Sequence, residues 1–145
     1  MTIKQLSVFV ENEAGRLAEI TAILEQHQID IRAMSLADTT SFGVLRLIVD
    51  RPNDALKAIK NAGFNVSLTD VIAIGVADIP GGLSDSLTIL SQNGVVVEYM
   101  YAFISRQQGR AYVIMRTDNN QRALDVIKAN HIPILTESEI VTVDD

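Results

Sequence analysis

The sequence predicts an α+β protein made of two βαββαβ units, each an antiparallel sheet with helices on one face. Three observations predict it. Lys4-Gln5-Leu6-Ser7-Val8-Phe9-Val10 aligns with Asp70-Val71-Ile72-Ala73-Ile74-Gly75-Val76, and Ala55-Leu56-Lys57-Ala58-Ile59-Lys60 aligns with Ala123-Leu124-Asp125-Val126-Ile127-Lys128, so the chain is a tandem repeat. Apolar spacing switches between period two and helical spacing in the same order in both halves. The run from Val71 to Gly75 also matches the closing run Glu139-Ile140-Val141-Thr142-Val143, so one strand closes the first copy and opens the second. The expected division is residues 1–69 and 70–145, with 70–76 as the shared seam.

Each half holds about seventy residues, a size at which a lone core is marginal, so one cooperative body sharing a sheet or interface is expected. The 145-residue chain has no cysteine, which excludes disulfides, thiolate metal sites and cysteine nucleophiles. Its net charge of −6 is spread over both halves without a lysine or arginine block, which disfavours nucleic acid as a partner. Met1 to Gln5 runs straight into an alternating strand rather than a signal peptide, and no apolar run approaches the roughly 20 residues that span a bilayer. The expected compartment is the cytoplasm, with no membrane partner.

The first strand is Ile3 to Val10, with Leu6, Val8 and Val10 facing inward. Glu11 to Arg16 breaks the alternation. A helix follows with Leu17, Ile20, Ile23 and Leu24 on one stripe, ending near His27-Gln28. Ile29 and Ile31 open a second strand, Asp38-Thr39-Thr40-Ser41 is a turn, and Gly43 to Val49 is a third strand. A proline and polar groups at 50–53 start a helix that carries Ala55, Leu56, Ile59 and Ala62, and Gly63 stops it. Phe64-Asn65-Val66 leads into the seam. In the second half the helix stripe is Leu83, Leu87 and Leu90, stopped by Asn93-Gly94; Val95 to Ile104 and Gly109 to Thr117 are strands, and Ala123 to Lys128 lies on a helix.

Leu36-Ala37-Asp38-Thr39 with Ser41 to Val49, and Asp78-Ile79-Pro80-Gly81-Gly82-Leu83 with Tyr99-Met100-Tyr101-Ala102-Phe103, resemble the small prokaryotic proteins made of two tandem ACT domains. The resemblance spans both repeats. It implies ferredoxin-like βαββαβ units that bind small ligands, most often amino acids, and regulate amino-acid metabolism. It also implies a homodimer, and a ligand site where the loop after the first strand meets the second strand of a neighbouring ACT unit. Carried over by position, that site comprises Asn12, Gly15, Arg16 and Leu17 with Ile31 to Met34 in the first repeat. In the second it comprises Asp78, Gly81, Gly82 and Leu83 with Val97 to Met100, including Glu98 and Tyr99.

Physical chemistry supports such a site, because a helix N-terminus presents unpaired N–H groups to a carboxylate and glycine permits close approach. Structural readings stand beside it. Gly15 and Gly81 equally suit a tight turn that needs positive φ, and Asn12 and Asp78 equally suit turn starts or caps. Arg16, a cation in a first helical turn, opposes the helix dipole and wants a partner, either a ligand carboxylate or nearby Glu13 or Glu19. Tyr99, Tyr101 and Phe103 should share one face of a strand, where the first repeat has Ala33, Ser35 and Ala37. The repeats are therefore expected to bind unequally, the second being better suited to a polar ligand.

His27 and His131 fall near helix ends and come with no nucleophile or metal-ligand spacing, and no phosphate loop or dinucleotide fingerprint occurs. The expectation is a non-enzymatic protein without metal or cofactor that binds a free amino acid. The alternative is a regulatory subunit that docks on an amino-acid-biosynthetic enzyme, of the acetolactate synthase kind, without a ligand of its own. An RNA-binding reading of the same topology fits poorly, since the third strands are aliphatic apart from Tyr112.

Overall fold

A computed structural model of the chain describes residues 1–38, 41–104 and 109–142. The elements run β1 (Ile3–Glu11), α1 (Arg16–Gln26), β2 (Ile31–Asp38), β3 (Phe42–Val49), α2 (Pro52–Asn61), β4 (Asn65–Ala77), α3 (Gly82–Gln92), β5 (Val97–Ile104), β6 (Arg110–Thr117), α4 (Asn120–Ala129) and α5 (Glu137–Thr142). Two compact units result, one of Lys4–Thr69 and one of Asp70–Asp145 with Met1–Ile3. The predicted turn residues Thr39 and Thr40, and Val143, lie outside the described residues.

In the first unit the strand order is β2-β3-β1-β4, with β3 antiparallel to both β1 and β2. Register places Leu6 opposite Leu47 and Val8 opposite Leu45, so alternation turns one apolar face of each strand toward the helices. Those residues form one core with Ile20 and Leu24 of α1 and Ala55 and Ile59 of α2. Each fully buried Leu or Ile contributes roughly 1.5–3 kcal/mol relative to exposure. On the opposite face, Ser7 Oγ lies 3.3 Å from Thr69 Oγ1, tying β1 to the start of β4.

The second unit is built alike, in the order β4-β6-β5. Ile72, Ile74, Val113 and Met115 pack with Leu90, Leu124 and Ile127. The α3 stripe differs from its prediction. Ser86 and Leu90, four residues apart, are the buried positions, whereas Leu83 and Leu87 are half-buried and line a shallow groove outside.

One predicted element is corrected. Glu139 to Val143 was expected to close the second unit as a strand, but Glu137–Thr142 is helix α5. Residues before it take the strand's place: Ile134 bridges Ile74 antiparallel, Gly75 N–H donates to Pro133 O at 2.9 Å, and Leu135 N–H donates to Ala73 O at 2.9 Å. The edge of β4 is thereby hydrogen-bonded before the predicted run begins, which leaves that run free to coil.

Both units close the first helix with an arginine from the second. Arg51 donates through Nη2 to the carbonyls of His27 and Gln28 beyond α1, and Arg122 Nη2 donates to Asn93 O at 2.7 Å beyond α3. A guanidinium is favoured there because unpaired carbonyls make a helix C-terminus negative.

Candidate functional site

The loops from β1 to α1 and from β4 to α3 have one geometry. Gly15 (φ 90°, ψ −11°) and Gly81 (φ 90°, ψ −15°) are the N-cap residues of their helices, and no side chain caps either. Helix α4, by contrast, is capped by Asn119, whose side chain accepts from the Arg122 N–H at 3.1 Å. The left-handed conformation accounts for glycine at both positions. Gly82 has a different cause: a Cβ there would stand 2.0 Å from Ala77 O, so the backbone itself excludes a side chain.

Arg16 follows Gly15 and is held by acids on its own loop and helix. Its Nη1 donates to Glu19 Oε2 at 3.2 Å, while Nη2 lies 3.7 Å from Glu11 and 3.6 Å from Glu13. Its guanidinium carbon also stands 6.0 Å from the centroid of Phe64, within cation–π range. The cation that opposes the helix dipole is thus balanced by neighbouring carboxylates. Exposed pairs of this kind contribute about 0–1 kcal/mol each.

The other half of the predicted site lies one strand away. In each unit the middle strand, β3 or β6, separates the strand before the loop from β2 or β5. In the first unit loop and β2 approach each other over Gly43, where a built Cβ would meet Leu36 Cδ1 at 3.1 Å and Asn12 Oδ1 at 3.6 Å. Met34 and Leu36 stand half exposed on β2, and Ile31 packs against the core. Leu17, on the helix stripe in the sequence, is 37% exposed at the start of α1.

In the second unit, Asp78 N–H donates to Gly109 O at 2.9 Å, and Leu83 packs on the core. A register shift between Val97 and Tyr99 interrupts the expected alternation. Glu98 accordingly reaches Arg116, the partner of Tyr99 in the ladder, with Nε to Oε1 at 3.2 Å. Beyond the shift, Tyr99, Tyr101 and Phe103 share one face, and Phe103 packs edge-on against Tyr112 with centroids 5.4 Å apart. Met100, on the other face, is 39% exposed.

The structure adds a feature that the motif positions do not contain. A cavity of about 240 Å³ in the first unit is lined by Phe9, Glu11, Arg16, Phe42 and the α2–β4 connection from Ala62 to Asn65. Phe9 and Phe42 are 47% and 48% exposed. The sequence signal was Phe9 itself, out of phase with Leu6, Val8 and Val10 and so on the face away from the core. Among the described residues, no cluster of three or more His, Asp or Glu is arranged for a metal, and no helix is long and apolar enough to cross a membrane.

This fold and these paired glycine-capped loops define a class, the tandem ACT-domain proteins. A model of the ACT domain pair matches residues 1–143, and the chain belongs to that family. Among solved structures it is similar to protein BT0572 from Bacteroides thetaiotaomicron, at 39% identity and a TM-score of 0.92, covering 98% of this chain and 97% of that one. It shares its fold with the regulatory subunit of aspartate kinase from Thermus thermophilus, in ligand-free form (16% identity, TM-score 0.68, 88% and 90% covered). It also shares it with the corresponding subunit from Thermus flavus (14%, 0.62, 88% and 92%). No curated protein matches the chain.

Proposed function

We propose that this chain is a non-catalytic regulatory protein that binds a free amino acid at the β1–α1 loop. The observation that carries the proposal is Arg16 beside the uncapped start of α1: a guanidinium and backbone donors stand together behind the left-handed Gly15. That arrangement accepts an α-carboxylate. Family membership supports the reading, as does the fold shared with regulatory subunits. The strand β2 that would complete the site belongs, on this proposal, to a second copy of the chain, because within one unit β3 intervenes. Ligand then favours one pairing of copies and changes the surface a partner enzyme meets, by population shift.

Thermal unfolding against each of the twenty amino acids at high millimolar excess tests this. A ligand at about a hundred times its Kd stabilises the native state by roughly 2.7 kcal/mol, which raises Tm by several degrees. A shift confined to one amino acid or one chemical class supports the proposal. No shift with any of them overturns it in favour of a docking subunit without its own ligand.

A further inference from the structure

The cavity of the first unit has a composition that selects among amino acids. Three phenylalanines, Phe9, Phe42 and Phe64, surround it, together with one cation, Arg16, and one anion, Glu11, at the rim. We propose that it takes one free amino acid with an aromatic side chain, the ring lying against Phe9, Phe42 and Phe64, the carboxylate on Arg16 and the ammonium on Glu11. This rests on the reading above, that the β1–α1 loop binds a free amino acid, and adds to it the side-chain class and a wall formed by the α2–β4 connection.

Size and charge both argue for this occupant. At about 240 Å³ the cavity falls below the roughly 300–1,000 Å³ of drug-sized sites. That is room for one small molecule. Phe9 and Phe42, half exposed on a concave surface beside the partly buried Phe64, leave apolar area that an aromatic ring covers in edge or offset contact. Arg16 Nη1 is already donated to Glu19, but Nη2 lies beyond hydrogen-bond distance from Glu11 and Glu13 and keeps donors for an incoming carboxylate. Glu11 lines the cavity beside Arg16, and Glu13 and Glu19 flank the same guanidinium from outside the lining, so carboxylates outnumber the cation around the site. That excess disfavours a simple carboxylic acid and fits a zwitterion that brings its own ammonium.

The second unit lacks every one of these groups at the matching positions. Phe9, Glu11 and Arg16 correspond to Gly75, Ala77 and Gly82, and Asn65 corresponds to Pro133. Pro133 lies on Gly75, and Ala77 O occupies the space in front of Gly82. The groups that compose the cavity are therefore found at these positions in the first unit alone, and the proposal gives one ligand per chain.

Titration calorimetry on the full chain with L-phenylalanine, L-leucine, L-serine, phenethylamine and 3-phenylpropanoate tests the assignment. The expected result is one site per chain for phenylalanine, with leucine and serine weaker and each analogue lacking one charge about tenfold weaker or more. R16Q and F9A, the first at a partly exposed and the second at an exposed position, both outside the core, should each lower phenylalanine affinity about tenfold. Circular dichroism of the variants separates lost binding from lost folding, and displacement of Gly63 and Phe64 amide resonances by phenylalanine locates the ligand without any substitution. Leucine or serine binding as tightly as phenylalanine, or phenylalanine binding with unchanged affinity in folded R16Q and F9A, overturns the cavity assignment while leaving amino-acid binding by the protein standing. Absence of binding by all twenty amino acids overturns both.

Discussion

Pro133 covers Gly75: a Cβ on the glycine would stand 3.3 Å from the proline Cβ, and the glycine N–H donates to the proline carbonyl at 2.9 Å. The matching pair in the first unit, Asn65 and Phe9, lines an open cavity instead. One substitution pair therefore closes in the second repeat a space that stays open in the first. Gly75 sits in a strand without positive φ, so alanine there is limited by packing and not by backbone. G75A should cost roughly 1–3 kcal/mol by overpacking, read as a lower urea midpoint with unchanged slope. A neutral G75A would show that Pro133 moves aside freely.

The three loop glycines should rank by cause. At Gly15 and Gly81 alanine meets no neighbour within 4 Å, and only the positive φ opposes it. G15A and G81A should each cost about 1–2 kcal/mol. At Gly82 the obstacle is the Ala77 carbonyl, which cannot move without the strand, so G82A should cost more than either. Equal costs in urea unfolding for all three would mean that the Ala77 carbonyl and its strand shift aside readily at Gly82.

Two residues invite the opposite change. Gln28 (φ 55°) and His131 (φ 57°) occupy left-handed positions where the other repeat has Gly94 (φ 72°) and Gly63 (φ 95°). Each follows a helix and is exposed. Q28G and H131G should raise stability by about 0.5–1 kcal/mol each, since glycine adopts αL without the Cβ penalty and αL is the usual helix-ending conformation. Chemical denaturation measures both, and a loss of stability would mean that side-chain contacts of Gln28 or His131 outweigh the backbone gain.

Repeats and periodicity made the fold legible, because burial on one face imposes period two on β1 and most of β3 and helical spacing on α1, α2 and α4. The loop glycines were legible too, although their conformational cause could only be weighed against a ligand. The cavity was not. Phe9, Phe42 and Phe64 are far apart in sequence, and it is register, Glu11 opposite Phe42, together with the α2–β4 connection, that gathers them. The pairing of Glu98 with Arg116 was not legible, because a bulge carries no hydrophobic signature. At the C-terminus the β-branched run Ile140-Val141-Thr142 reads as a strand, and the four residues just before it decide otherwise.

Those residues, Thr136-Glu137-Ser138-Glu139, form a capping box. Glu139 N–H donates to Thr136 Oγ1 at 3.3 Å, and Thr136 N–H donates to Glu139 Oε1 at 3.3 Å, so two orphan donors are satisfied reciprocally at the start of α5. Glu137 and Glu139 also place negative charge in the first turn, where the dipole favours it. Ile140 is buried at 1% exposure, which anchors the helix once it forms. The box is what turns a β-prone run into a helix, because a helix this short cannot nucleate on propensity. T136A should therefore cost about 1 kcal/mol, and I140A roughly 2–5 kcal/mol. Hydrogen exchange distinguishes the two: T136A should speed exchange at Glu139 and Ile140 while leaving β4 protected. A protected α5 in T136A would assign the helix to the burial of Ile140 alone.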